Sequence, residues 1–167
     1  DTFWKEKDPY TGEITPSQLK NLKVKYVIVG HSERRKLGET DEIINDKIKA
    51  AMKAGLKVIL CIGEDWSVRR KGITAAKRYI ANQLKKDLKG VRDSLIIAYE
   101  PVWAIGTGKS DTPKISAEIT RHIKKLLADY HKLPTAKVLY GGSVTPKNAK
   151  SFLSQTSIDG ALVGGAS

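Results

Sequence analysis

Ser94-Leu95-Ile96-Ile97-Ala98-Tyr99-Glu100-Pro101-Val102-Trp103-Ala104-Ile105-Gly106-Thr107-Gly108-Lys109 is the stretch on which the fold turns. Leu95 to Tyr99 is an apolar run of strand length, the pattern of a strand covered on both faces. A carboxylate, Glu100, stands at its end, and Pro101 confines the backbone of Glu100 to extended conformations. A short apolar segment follows, Val102 to Ile105. Gly106-Thr107-Gly108 then offers a flexible point and backbone N–H groups that no side chain obstructs. A charged group at a strand end, followed by a hinged apolar lid, suits a general base under a cover that excludes water. A plain strand, a charged cap and a turn would use the same letters, so the flanking sequence has to decide.

The same alternation extends in both directions. Residues 1 to 23 form a polar loop region with a short helix, capped by Thr15 and started by Pro16. Val24 to Val29 is a first strand, ending at Gly30-His31-Ser32. Thr40-Asp41-Glu42 opens a helix with Ile44, Ile48, Ala51 and Met52 at helical spacing, and Gly55 ends it. Val58 to Ile62 is a second strand, ending at Gly63-Glu64. A longer helix breaks near Gly72 and restarts at Thr74, with Ala76, Ile80, Leu84 and Leu88 inward. Beyond the third strand, Thr112-Pro113 starts a helix whose buried stripe reads Ile119, Ile123, Leu126, Leu127 and Tyr130. Lys137 to Tyr140 is a fourth strand, ending at Gly141-Gly142-Ser143. Thr145-Pro146 opens a short helix with Ala149, Phe152 and Leu153, and Ile158 to Val163 is a fifth strand, ending at Gly164-Gly165. Five strands alternating with four helices predict a parallel α/β sheet, open or closed.

Composition narrows the class. A chain of 167 residues, 40% hydrophobic, fits a single domain over residues 1–167. It has no apolar run of membrane-spanning length, so no membrane partner is expected. The one cysteine, Cys61, excludes a disulfide framework and points to a reducing compartment, hence a cytoplasmic location. Both ends, Asp1 and the glycine-rich Gly164-Gly165-Ala166-Ser167, read as cuts in a longer domain. The net charge of +12 raises the question of nucleic acid. The lysines are spread over helix faces, however, and no aromatics interleave with them as a stacking platform, so nucleic acid is not expected.

Chemistry collects at the strand ends: His31, Glu64, Glu100, Ser143 and Gly164-Gly165. In parallel α/β folds these ends share one face, where ligands bind, so five strand ends are expected to point reactive groups at one mouth. His31, near a helix N-terminus, is held neutral by the helix dipole and suits hydrogen bonding to a carbonyl oxygen. Glu33, Arg34 and Arg35 read as a structural charge cluster around it. Gly106, Ser143, Gly164 and Gly165 offer backbone N–H donors for a phosphate. Gly106 to Ser110 resembles the tail of a P-loop but fails it, because Trp103 stands where the first glycine is required. No dinucleotide fingerprint and no metal-ligand cluster is present, so no cofactor and no metal are expected.

Four motifs together resemble the triosephosphate isomerases: Gly30-His31-Ser32-Glu33-Arg34-Arg35, Ala98 to Lys109, Tyr140-Gly141-Gly142-Ser143-Val144 and Val163-Gly164-Gly165-Ala166-Ser167. Their order is that of the family, and the similarity covers essentially the whole chain. The resemblance implies an eight-stranded (β/α) barrel, the TIM barrel, of which this chain holds strands four to eight. It implies Glu100 as general base and His31 as neutral electrophile. Residues 101 to 109 become the closing lid, and Gly106, Ser143, Gly164 and Gly165 grip the phosphate. The implied reaction interconverts dihydroxyacetone phosphate and glyceraldehyde 3-phosphate through an enediolate. Thr11-Gly12-Glu13-Ile14 is similar to the loop through which the family forms homodimers. The family also uses an asparagine and a lysine at the end of its first strand, which this chain does not carry. The chain alone is therefore expected to be inactive and, with open sheet edges, prone to aggregate. Another phosphate-binding barrel enzyme, or a half-barrel that only binds, are the competing readings. The joint presence of the histidine and lid motifs disfavours the first, and turnover separates the second.

Overall fold

The computed structural model describes residues 1–6, 9–105 and 111–167. Five parallel strands stand in the sheet in chain order: β1 (Tyr26–Val29), β2 (Lys57–Ile62), β3 (Ile96–Tyr99), β4 (Lys137–Tyr140) and β5 (Gly160–Ala161). Val29 pairs with Leu60, Ile62 with Tyr99, and Tyr99 with Tyr140. The helices are α1 (Pro16–Asn21), α2 (Ser32–Lys36), α3 (Asp41–Lys53), α4 (Trp66–Arg69), α5 (Ile73–Asp87), α6 (Pro113–Asp129) and α7 (Ala149–Leu153). Side-chain caps start several of them where the sequence indicates: Thr15, Thr40 and Thr112 each accept the backbone N–H three residues on.

The strand order separates the two architectures that alternation left open. A doubly wound sheet reverses its order partway and buries helices on both faces. Here the order never reverses. A single core joins Val27, Val29, Val58, Leu60, Ile97, Tyr99, Val138 and Tyr140, one parity of each strand, to Ile44, Ile48, Ile80, Leu84, Ile119, Ile123 and Phe152 of the helices. The other parity faces inward on the curve. There Ile28, Ile59, Ile96 and Leu139 stay half-buried, whereas Cys61 and Ala98 are fully buried. The sheet is thus part of a barrel wall, helices outside, and the continuous apolar runs belong to strands meant for two-sided burial. Tyr140 stacks on Phe152 with ring centroids 4.1 Å apart and planes at 9°, tying α7 to the wall.

Four expectations are corrected. Tyr130 is not on the buried stripe of α6. It is the C-cap, 75% exposed, and Leu133 is buried beyond it. Helix α7 begins at Ala149, not at Thr145-Pro146, because Asn148 Oδ1 accepts the Thr145 N–H and closes a turn first. Leu153 of that helix is 48% exposed. Strand β5 spans only Gly160–Ala161, not Ile158 to Val163, and pairs with β4 alone. Only Asp159 N–H to Val138 O and Leu162 N–H to Tyr140 O extend its ladder. Among the described residues, no helix is long and apolar enough to cross a membrane.

Candidate active site

The turn after β1 places His31 as the N-cap of α2. Its Nδ1 accepts the Glu33 N–H at 3.3 Å, which leaves the ring proton on Nε2. Nε2 points at Glu100 Oε1, 3.1 Å away. The other carboxylate oxygen, Oε2, accepts the Ser32 N–H at 3.1 Å. Glu100 itself is fixed by its N–H to Ile62 O at 2.7 Å, continuing the β2–β3 ladder, and is 2% exposed. Two residues from opposite sides of β2 therefore meet because the strands end level.

Burial pushes the Glu100 carboxyl above its ordinary range, while His31, the Ser32 N–H, Cys61 and Arg35 pull it back. Burial likewise pushes the Cys61 thiol far up, with the Glu100 charge adding to it, so this cysteine stays protonated beside the carboxylate. A carboxylate raised in this way is a stronger base than one in water.

Beneath His31 lies a second layer. Arg35 Nε donates to Gly30 O at 2.8 Å and Nη2 donates to Cys61 O at 3.2 Å. The same guanidinium reaches Asp41 Oδ1 at 2.8 Å and Asp87 Oδ2 at 2.7 Å. It thus clamps the end of β1 to β2 and to α5. Gly30 is required twice, by a φ of 75° and because a Cβ there would sit 3.1 Å from both Arg35 Nη2 and Cys61 O. Burial pushes Asp87 up to about 7 in spite of Arg35. Gly63 is tighter still, since a Cβ there would fall 1.6 Å from the Glu100 carbonyl oxygen. Its N–H is held by Gln83 Oε1 of α5 at 2.9 Å.

The opposite wall is made by the turns after β4 and β5. His31, Glu100, Ser143, Gly164 and Gly165 border one cleft of about 640 Å³ at the carboxyl end of the strands. A wider cleft of about 720 Å³, between the N-terminal loop and α3, contains Lys49 and Lys53 but no strand end. Ser143 Oγ donates to Ala104 O at 2.7 Å, so this hydroxyl is spent on the start of the lid segment. Gly164 and Gly165 are exposed with open space around them. Gly106 lies outside the described residues.

Glu64 does not join the mouth. It is fully buried, accepting Tyr99 Oη–H at 3.2 Å and Trp103 Nε1–H at 3.4 Å. Four strand ends converge, not five, and Glu64 anchors the first turn of the lid from below. Sequence reasoning also missed Cys61, Gly63 and Gln83 as neighbours of Glu100. Cys61 and Gly63 reach it through strand register, and Gln83 of α5 only by way of the Gly63 N–H, which leaves no local pattern in the letters.

A parallel β/α wall with its reactive groups on the carboxyl ends of the strands defines a barrel-type enzyme. Comparison with known proteins narrows the class. The family model described as triosephosphate isomerase matches residues 1–167. A triosephosphate isomerase of Thermoanaerobacter sp. (strain X514) is 47% identical over 175 residues, covering 100% of this chain and 70% of the relative. That of Dictyoglomus turgidum is 46% identical, over 99% of the chain and 69% of the relative. That of Carboxydothermus hydrogenoformans is 50% identical, over 95% and 65%. The chain belongs to the triosephosphate isomerase family.

Proposed function

We propose that this chain carries its family's chemistry, the interconversion of dihydroxyacetone phosphate and D-glyceraldehyde 3-phosphate, with Glu100 as base and His31 as electrophile. One observation carries the assignment of roles: a buried carboxylate 3.1 Å from a histidine Nε2 whose other nitrogen is already committed as an acceptor. Glu100 removes a proton from the carbon beside the carbonyl. The C–H electron pair moves into a C=C bond, and the carbonyl pair onto oxygen, where the His31 Nε2–H meets the developing charge. The hydroxyl proton passes by way of His31 Nε2 to the former carbonyl oxygen. Return of the carbon proton to the neighbouring carbon, as the C=C pair takes it up and the deprotonated oxygen becomes the new carbonyl, completes the exchange. In the structure the two groups spend on each other the atoms that the substrate needs, so substrate binding has to replace that contact. The backbone of Ser143, Gly164 and Gly165, with Gly106 from the lid, receives the phosphate. No lysine or arginine among the described residues borders the cleft. Among the described residues the cleft thus has no cation for the phosphate and oxyanion, and one supplied from outside them adds several kcal/mol of transition-state stabilisation.

The assembly we propose is a homodimer through the Thr11 loop, whose exposed tip is closed by Glu13 N–H to Tyr10 O at 3.0 Å. The buried free thiol of Cys61 supports a cytoplasmic location. Sedimentation tests the assembly: Thr11→Arg should shift the protein toward monomer, and an active monomer with Thr11 intact would contradict it.

The catalytic test uses the chain fused to the flanking residues of the Thermoanaerobacter relative. Glu100→Asp withdraws the carboxylate by about one methylene and should lower kcat by about 10²–10⁴ with little change in KM. Near-normal kcat would remove Glu100 from the role. Because the carboxyl is raised, the acid limb of kcat/KM should fall at a pH above the ordinary glutamate value. The unfused chain should show no turnover; appreciable rates from it would overturn the claim that a cation must be supplied from outside.

A further inference from the structure

Part of the surplus positive charge is gathered at the end of the sheet remote from the strand-end site. A cleft of about 500 Å³ opens between the turn that follows α5 and the turn that follows α6. Lys85, Lys89, Arg92 and Lys132 border it, all exposed. Neighbouring lysines are matched: Lys86 reaches Asp41 at 3.3 Å and Lys77 reaches Glu118 at 2.7 Å. The four cations of the cleft have no carboxylate within ion-pair distance among the described residues. The acids closest in sequence are engaged elsewhere. Asp87 is buried on Arg35, and Asp129 sits 3.7 Å from Lys125. Asp93, next to Arg92 in sequence, is exposed and is not among the residues that border the cleft.

Two helix C-termini also face this region, α5 and α6, and each carries roughly half a negative charge. That sum falls well short of four full cations, so the cleft keeps a positive potential. Its walls are fixed. Asn45 Nδ2 holds both Asp87 O at 2.7 Å and Lys89 O at 3.0 Å, and Leu133 N–H closes the end of α6 on Leu127 O at 2.8 Å. Lys132 occupies a left-handed conformation, φ 59°, where glycine would be unstrained. Its Nζ is steadied by Asp129 O at 3.0 Å. Tyr130 stands beside these cations with three quarters of its surface exposed.

We propose that this cleft binds a polyphosphate chain, free or carried by a nucleotide. Lysine ammonium groups serve phosphate oxygens as point charges, and the Arg92 fork can take two oxygens at once. The Tyr130 ring gives a planar base a face to stack on. The length of β3, about 13 Å, separates the cleft from Glu100.

The test titrates sodium triphosphate and ATP, at about 0.15 M salt, where exposed charges are screened beyond roughly 8 Å. It uses the 167-residue chain and the same chain fused to the flanking residues of its Thermoanaerobacter relative. Calorimetry should give saturable binding of one equivalent to both forms. Lys89→Gln/Arg92→Gln should weaken triphosphate at least about tenfold, and Lys89→Glu/Arg92→Glu should abolish saturation. Lys36→Gln/Lys71→Gln, which changes the net charge as much as the first pair on other surfaces, should leave binding within about twofold. Tyr130→Ala separates the sources: weaker ATP with unchanged triphosphate identifies a nucleotide site, and no change in either identifies a site for the phosphate chain alone. Absence of saturable binding to both forms, or equal weakening by the two glutamine pairs, would overturn the proposal.

Discussion

The two walls of the strand-end cleft are held in different ways. On the β1–β2 side, His31 and Glu100 rest on a layer of side chains: Arg35 joins Gly30, Cys61, Asp41 and Asp87, and Gln83 holds Gly63. On the β4–β5 side, side-chain ties to the turns are few. Ser143 reaches Ala104, Asn148 Nδ2 reaches Ser143 O at 3.0 Å and Ser167 Oγ reaches Gly164 O at 2.7 Å, while a Cβ added at Gly164 or Gly165 would meet open space. The difference follows the chemistry each wall serves. Proton transfer needs two side chains at fixed separation, and a small misplacement is costly. A phosphate is gripped by backbone donors, which need open glycines and close approach more than bracing.

The same substitution on each wall breaks the comparison most sharply. Gly63→Ala puts a methyl group 1.6 Å from the Glu100 carbonyl oxygen, which backbone cannot yield to. It should cost at least about 4 kcal/mol, or prevent folding. Gly164→Ala meets open space and should stay within about 0.5 kcal/mol. Chemical denaturation of the fused protein reads both, and equal costs would erase the contrast.

Arg35→Met comes next. It leaves Asp87 buried without its partner and should cost about 3–5 kcal/mol. Asp87, already pushed up to about 7, would titrate higher still. Above pH 7 the native carboxyl ionises in the folded protein, whereas the variant's still binds a proton that the unfolded chain does not. The deficit should therefore be smallest below pH 7 and widen as pH rises. A deficit independent of pH between 6 and 9 would detach Asp87 from the clamp. Ser143→Ala removes one hydrogen bond to Ala104 O and should cost only about 1 kcal/mol. A loss as large as that of Arg35→Met would mean that the second wall is braced after all.

What the letters revealed follows the same division. Strands and caps were legible because they are local: apolar runs of strand length, and Thr15, Thr40 and Thr112 before their helices. His31 and Glu100 were legible as strand-end residues, and the structure brings them together. Glu64 was misplaced because a strand end does not say which way the next side chain turns. Its burial under Trp103 depends on the path of the lid segment. Tyr130 continued the α6 stripe in phase, but the helix stops there, so phase no longer predicts burial. Strand β5 was overextended because an apolar-rich run does not show how many of its residues join the ladder, here only Gly160 and Ala161.

The strand order of the sheet also bears on how the molecule comes into being. Each strand after β1 hydrogen-bonds to the strand made just before it in the chain, with no crossing to a distant partner. Every parallel pair closes over a single crossover of one or two α-helices, and closure entropy grows only slowly with loop length, so the penalty for each closure is similar and none requires the whole chain. On a ribosome, which delivers the N-terminal part first, β1 and β2 with α3 between them can dock while β4 and β5 are still being synthesised. The braced wall is then also the early one, and the glycine turns that hold the phosphate are added last, onto a scaffold already formed.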